Sequence, residues 1–276
     1  MLLPKIYKVG VFVFKNNPDN MRMEPTPERV YSVCRLVAHE NISESDIIAA
    51  ISLNRAEATA VIRASIEVAR NDLQMISNKD GKLVLSVAKE TIESPTAFRR
   101  FVASRVFANR GSTFAMFSKW YISKNEAIFP LTTWDIKAKT AKQEEPLLTK
   151  LSENDALGWR FWAAFFGLGY LNGTVLIPNM KTRIQDVLAT TFTDTYNYGE
   201  PVRAADFVAW LSSELPESTL NTPLPLAVSA GLRTLSDLEL VAMEARRDTE
   251  RMALFYVDGD LFNDFSHITV SEEVCK

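Results

Sequence analysis

The sequence predicts a mainly helical protein with small β-hairpins, built from α+β modules on either side of a helical middle region. Amphipathic periodicity recurs along the chain, capping residues precede most periodic segments, and Asp-Gly or Asn-Gly pairs interrupt short apolar runs. Hydrophobic residues make up 47% of the 276 residues, which excludes wholesale disorder. One to three modules fit this length.

The N-terminal third carries a pattern of three helices followed by a hairpin. Residues 1–25 precede it and contain a predicted strand from Lys5 to Phe14. Capping residues stand ahead of three apolar-periodic segments: Thr26, Ser43 and Asn54. Two β-rich runs then flank Asp80-Gly81, a pair that favours a tight turn. This is the order of a winged helix-turn-helix, which we predict over residues 26–93.

The middle of the chain is predicted to be helical. Helices are expected to start after three further capping residues: Ser94, Ser112 and Ser152. Residues 94–145 form a basic helical segment that ends in a mobile linker, predicted over Lys137 to Gln143. Residues 146–198 are predicted to contain a helix, a hairpin turn at Asn172-Gly173 and a second helical pattern.

Residues 199–276 are predicted to form a second, degenerate winged-helix-like domain. Its two helices are expected at Ala204 to Leu215 and Leu224 to Leu235, separated by a proline-bearing loop. Two strands are expected to pair with each other across a polar turn: Leu238 to Ala245 and Met252 to Val257. A final strand is predicted at Phe265 to Val270.

A net charge of −3 conceals a basic segment. Residues 94–142 contain nine basic and two acidic residues, and aromatic residues interleave with the cations. Such a pattern suits a nucleic-acid backbone with optional base stacking. It equally suits amphipathic helices whose aromatics form the core and whose cations are solvated, so both interpretations stay open. The candidate phosphate-binding residues are Arg99, Arg100, Arg105, Arg110, Lys119 and Lys124.

The third helix of the first module offers a second candidate site. Arg55 and Arg63 would lie on its outer face, within reach of phosphates or bases. Residues 27–93, however, contain eight basic and ten acidic residues, whereas a module that binds duplex DNA by itself is usually basic. Ala56 and Ala60 would also let another helix approach. We therefore favour protein contact for this module over DNA reading.

Catalytic patterns are missing from the sequence. It contains no glycine-rich phosphate loop and no nucleophile elbow. His39 and His267 have no neighbouring His or Cys, and Cys34 and Cys275 are far apart. The sequence thus predicts a protein that is not an enzyme and that needs no metal and no cofactor. No apolar run approaches the length of a membrane helix and no signal-peptide pattern precedes the first module, so we expect no membrane partner and a cytoplasmic location.

A resemblance enters through the middle and the C-terminal third. The order of hydrophobic landmarks there resembles the DpdG family, whose members accompany helicases and nucleases in bacterial clusters that modify DNA and restrict unmodified DNA. Asn179 departs from the aspartate expected at its position. The landmarks are Leu157 to Ala163, Phe166 to Gly169, Pro178-Asn179, Phe207 to Leu211, Leu226 to Leu235, and Ser266 to Ile268.

The leading hypothesis joins these observations. The resemblance implies a non-enzymatic accessory subunit of a prokaryotic antiviral defence complex, and the modules predict an adaptor that links a larger ATPase, helicase or nuclease to DNA or to other subunits. DNA would be contacted through the basic segment. The alternative is a free-standing winged-helix transcriptional regulator that binds DNA by itself.

Overall fold

The computed structural model of the protein describes residues 25–52, 58–258 and 263–276. Over these residues the chain is mainly helical, with small antiparallel sheets of two or three strands, as the sequence predicts. The predicted strand from Lys5 to Phe14 and the cap at Asn54 lie outside the described residues. The described chain divides into two compact units, residues 25–112 and 113–276. No helix in these ranges is long and apolar enough to cross a bilayer.

The first unit contains the predicted three helices and hairpin, followed by a fourth helix. Its elements are α1 (Pro27–His39), α2 (Glu44–Ser52), α3 (Ala58–Glu67) with a π-helical turn at Val68–Asp72, β1 (Ile76–Lys79), β2 (Lys82–Leu85) and α4 (Pro95–Ala108). Between α1 and α2, Ile42 forms an isolated bridge with Leu83 of β2. Asp80 and Gly81 have positive φ angles, the backbone that the predicted hairpin turn requires.

Helix α4 belongs to the core of the first unit. Its buried side chains include Phe98, whose ring centroid lies 5.3 Å from that of Tyr31 on α1. From α1, Arg35 Nη1 donates to the carbonyl oxygens of Ile92 (3.2 Å) and Glu93 (3.3 Å), just before α4 begins. These contacts attach α4 to α1, so the cations of α4 are fixed to the same unit as the first hairpin.

The second unit continues with helices and short strands. Its elements are α5 (Thr113–Ser123), α6 (Trp134–Glu144), α7 (Glu153–Phe165), β3 (Gly169–Asn172), β4 (Val175–Pro178), α8 (Lys181–Thr191), β5 (Pro201–Arg203), α9 (Ala204–Glu214), α10 (Leu226–Asp237), β6 (Val241–Glu244), β7 (Met252–Ala253), β8 (Asp264–Phe265) and β9 (His267–Val270). Strands β3 and β4 form a hairpin, and β5, β9 and β6 form a sheet in that order.

The predicted linker at Lys137 to Gln143 is wrong, because these residues lie inside α6. Thr133 caps this helix by accepting from the Ile136 N–H (3.2 Å). Trp134, Ala138 and Ala141 form a buried face at helical spacing. Lys137 is also buried. Its Nζ donates to the Leu131 carbonyl oxygen and lies 5.0 Å from the centre of the Trp134 ring, and these contacts compensate the burial of the charge. A buried lysine in this face made the segment look solvated in the sequence.

The predicted pairing of the two strands in the last domain is also wrong. Strand β6 pairs with β9, and β7 pairs with β8. Val241 lies opposite Val270 on β9, and both are buried together with Val202 of β5. Residues 245–251 are all exposed, and they form an outward extension that joins β6 to β7. Pairing β6 with β9 buries apolar side chains on one face of the sheet. This stabilises the pairing more than the short connection between β6 and β7 would favour a hairpin of those two strands.

The order of three helices followed by two strands occurs three times in the described chain. After α1–α3 with β1 and β2, it recurs as α5–α7 with β3 and β4, and again as α8–α10 with β6 and β9. In the last set, β5 follows the first helix and pairs with β9, as Ile42 pairs with β2 in the first. The second set, and the place of α8 in the third, differ from the sequence prediction.

The first turn of α8 lies between two glycines of neighbouring elements. A Cβ atom on Gly231 of α10 would come within 2.8 Å of the Lys181 backbone N, and one on Gly167 within 2.6 Å of the Arg183 N. Asn179 Oδ1 accepts from the Lys181 N–H at the start of α8 (2.9 Å), and Asn179 Nδ2 donates to Thr234 Oγ1 (3.2 Å). The second and third sets of helices are therefore in backbone contact.

A buried ion pair fixes the other side of α8. Arg183 Nε lies 2.6 Å from Glu217 Oε1, and Arg183 Nη2 donates to the Glu214 carbonyl oxygen (3.2 Å). Both partners are almost fully buried. The pair ties α8 to the end of α9 and to the loop that follows it.

We predict that Gly231→Ala destabilises the protein although alanine is the better helix former. Helix propensity alone would add about 1 kcal/mol of stability. The new Cβ would overlap the α8 backbone, and overpacking of a close contact typically costs about 1–3 kcal/mol, or more where backbone must move. Denaturant unfolding measures the difference. Gly111→Ala is the control, because its Cβ would meet only Asn109 Oδ1 at 4.0 Å. A Gly231→Ala midpoint above that of the wild type would contradict the close contact.

Candidate nucleic-acid interface

Helix α3 presents a mixed-charge surface. Ala60, Arg63 and Glu67 are exposed on it, and Arg55 lies outside the described residues. Arg63 Nε lies 4.0 Å from one Glu44 oxygen, and Arg70 Nη1 lies 3.6 Å from the other. Because Glu44 and Glu67 balance these two arginines, α3 does not form a strongly positive surface.

The side of α3 that faces α1 is an apolar groove. The groove encloses about 420 Å³. Its lining includes Val33 of α1, Ile51 of α2 and Val61 of α3, with small residues such as Ala58 and Ser65. The residues that α3 itself contributes to this groove are apolar or small, although Glu28 and Arg29 of α1 line it as well.

Helix α4 begins at a well-formed cap. Ser94 Oγ accepts from the Ala97 N–H (3.0 Å), and Pro95 occupies the first turn, as predicted. Arg99 and Arg100 are both half-buried on this helix, and both make contacts within the protein. Arg110 is exposed two residues after α4 ends. These three arginines share the first unit with α3 and the hairpin.

Arg105 has a structural role that the sequence analysis did not foresee. Its Nη1 donates to the Leu73 carbonyl oxygen at 2.5 Å, and its guanidinium carbon lies 4.2 Å from the centre of the Phe101 ring. Burial lowers the pKa of the Arg105 guanidinium. Leu73 directly follows the π-helical turn that extends α3. Arg105 thus connects α4 to the end of α3.

Lys119 and Lys124 belong to the second unit and differ in their surroundings. Lys119 is exposed on α5. Lys124 Nζ forms an ion pair with Glu144 Oε2 and lies 5.4 Å from the centre of the Trp120 ring. Trp120 Nε1 donates to the same oxygen (2.6 Å), and these hydrogen bonds lower the pKa of the Glu144 carboxyl. Lys124 is therefore committed to an internal cluster.

Most aromatic residues of the basic segment are buried in the core. This supports the interpretation in which the helices of the segment are amphipathic, with aromatic side chains inside and cations in solvent. Phe98, Phe107, Phe114, Phe117, Trp120 and Tyr121 are all buried. The Phe117 and Trp159 ring centroids lie 4.9 Å apart, and Trp159 Nε1 donates to Ser118 Oγ (2.9 Å). Rings held in this way are not available to stack on bases.

Two lysines at the first hairpin are exposed cations that were not among the predicted site residues. Lys79 and Lys82 flank the turn formed by Asp80 and Gly81, and all four residues are exposed. Asn78 Oδ1 accepts from the Gly81 N–H (3.1 Å) and fixes this turn. The signal was present as Lys79-Asp80-Gly81-Lys82, but it was interpreted only as a turn. A rigid hairpin tip with two lysines can approach a phosphate backbone.

The helix that directly precedes each pair of strands, which we call the pre-hairpin helix, differs between the sets. In α3 three residues are exposed along its length, whereas α7 is exposed only at Glu153 and Asn154, in its first turn. In α10 only the last residue, Asp237, is exposed. Of these three helices, α3 is the one with exposed side chains along its length.

The groups considered for catalysis or metal binding are separate from one another. Cys34 is buried, and burial raises the pKa of its thiol to about 12. His39 lies in the last turn of α1, and His267 lies on β9 with its Nδ1 at 3.1 Å from Ser266 Oγ. Across the described ranges, no three His, Cys, Asp or Glu side chains come together as a metal site.

The landmarks of the DpdG resemblance are explained by packing. Gly167, Asn179 and Gly231 are the residues that hold the first turn of α8. Ser266 Oγ accepts from the Arg246 N–H (2.8 Å) at the junction of β8 and β9. Comparison with protein-family models, curated proteins and solved structures finds no match for this chain.

We predict that Arg105→Ala destabilises the protein, whereas Arg110→Ala does not. Loss of a hydrogen bond from a charged, partly buried donor costs about 1.5–3 kcal/mol. Arg110 is exposed, and substitutions at such sites usually stay within about 0.5 kcal/mol. Denaturant unfolding of both variants measures this. Equal stabilities would mean that Arg105 does not connect α4 to α3.

Proposed function

We propose that the protein is a non-enzymatic winged-helix adaptor subunit of a multi-protein, DNA-acting assembly. It would link a larger ATPase, helicase or nuclease to DNA or to other subunits. The prokaryotic antiviral setting of this proposal comes from the DpdG resemblance alone. The first and the last set both have three helices and two paired strands, and the chain after the first helix also pairs with one of those strands, at Ile42 in the first set and β5 in the last. This order supports the winged-helix assignment of residues 26–93 and of the C-terminal domain.

The observation that carries the proposal is the burial of two of the three pre-hairpin helices. A chain whose main task were DNA reading would expose these helices. Here α7 and α10 contribute their surfaces to the core of the second unit, and only α3 keeps an exposed face. The second unit therefore favours a scaffold that binds proteins.

Charge supports the same division of labour. Residues 25–112 contain twelve basic and ten acidic residues, whereas residues 113–276 contain fifteen basic and twenty-two acidic residues. An acidic second unit repels a phosphate backbone, so DNA contact is expected only in the first. The exposed cations there include Arg63 on α3, Arg110 after α4, and Lys79 and Lys82 at the hairpin.

Copurification tests the adaptor role directly. The tagged protein, expressed at its native level and purified at physiological salt, is expected to bring with it a larger ATPase, helicase or nuclease. Recovery of the chain by itself, together with tight sequence-selective DNA binding, would favour the free-standing regulator instead.

A DNA titration tests the role of the first unit. We expect the double variant Lys79→Glu, Lys82→Glu to bind duplex DNA more weakly whatever the sequence. Its salt slope should flatten by roughly two units, about one for each phosphate that the hairpin no longer neutralises. The control is Lys150→Glu, Arg247→Glu, which makes the same charge change at exposed residues of the second unit. If both variants weaken binding equally, the hairpin makes no specific contact.

A further inference from the structure

A half-exposed aromatic pair distinguishes one surface of the second unit. Tyr196 and Trp210 have ring centroids 6.2 Å apart at an interplanar angle of 80°. Both are half-buried, whereas Phe192 beneath them is fully buried, with its centroid 5.4 Å from each of the other two. The buried ring holds the two outer rings in place, so their exposed parts form a rigid surface.

The Trp210 indole differs from three of the four buried tryptophans. Trp120, Trp134 and Trp159 each donate their Nε1 hydrogen to a group of the protein. Trp210 Nε1 donates to no group within the described ranges, and it is not an enclosed atom. Its N–H is therefore available to an external partner, and so is the part of its ring that Phe192, Tyr196 and Phe207 leave uncovered. Buried indoles normally find an internal acceptor, so this difference indicates a surface tryptophan that is suited to contact.

Carboxylates flank the two rings. Asp206 lies one helical turn before Trp210 on α9, and its backbone carbonyl accepts from the Tyr196 hydroxyl (3.3 Å). Asp194 lies two residues before Tyr196, and both aspartates are exposed. Within the described ranges neither has a basic side chain within 4.0 Å, although Arg203 is only three residues from Asp206. The carboxylates near the rings are therefore not neutralised from within.

We propose that Tyr196, Trp210 and Asp206 form a docking surface for an arginine-bearing segment of a partner protein. The faces of aromatic rings attract cations, and a neighbouring carboxylate adds Coulomb attraction. A guanidinium fits better than an ammonium, because it stacks on an indole and can donate to a carboxylate at the same time. DNA is disfavoured here because its phosphates would face Asp194 and Asp206.

This inference rests on the proposed adaptor function for the existence of a partner, but its test is separate. Binding of a labelled arginine–alanine peptide to the full chain is measured by fluorescence anisotropy, with a glutamine–alanine peptide of equal length for comparison. We expect the arginine peptide to bind more tightly. Trp210→Ala and Asp206→Asn are each expected to weaken that binding by about two- to five-fold, the range of exposed cation–π contacts.

The matched control is Asp237→Asn, which removes the same charge from the exposed end of α10 and should leave binding unchanged. Equal binding of both peptides, or equal affinity of all variants, would overturn the inference. If Trp210→Ala does not fold, the affinities of Asp206→Asn and Asp206→Lys for the arginine peptide test the inference, because both variants change only an exposed side chain. If the protein copurifies with a partner but does not prefer the arginine peptide, the docking surface is overturned and the adaptor function still stands.

Discussion

The close approach of α8 to Gly167 and Gly231 is the contact on which the second unit depends. Each set of three short helices and a hairpin has a small apolar face of its own, and domains of that size gain little stability by themselves. Helix α8, which belongs to the third set, closely approaches the second set at Gly167 and α10 of its own set at Gly231. The two sets thereby share one core, and their pre-hairpin helices are enclosed within it. The buried Arg183–Glu217 pair holds the opposite side of the same helix.

This sharing of a core has a functional consequence. Exposure of the pre-hairpin helix is what makes a set of this kind able to enter a DNA groove, and enclosure removes that ability. In the first unit the fourth helix packs on α1 and on the end of α3, and it leaves α3 exposed. Under the proposed function, the first unit would face nucleic acid and the second would hold proteins.

Much of the element order could be predicted from local signals. Ser94 and Ser152 do cap helices, and the turns at Asp80-Gly81 and Asn172-Gly173 do join paired strands, because capping and turn chemistry act within a few residues. Helix α6 was missed because its buried face includes Lys137, whose desolvation is compensated by a carbonyl and a ring that the sequence does not show to be near. The pairing of β6 with β9 was missed because it joins residues across an exposed extension.

For the candidate site, the sequence likewise shows which residues are charged but not which of them are in contact after folding. A count of charges can find a basic segment, but it cannot show which cations the fold uses internally. Arg105 holds the end of α3, Lys124 pairs with Glu144, and Lys137 is buried, so three of the nine cations counted in that segment are committed to the structure. The exposed lysines at the first hairpin lie outside it. A cation can therefore bind a phosphate only if its side chain stays exposed and unpaired after folding. Tertiary contacts determine this more than the composition of the segment does.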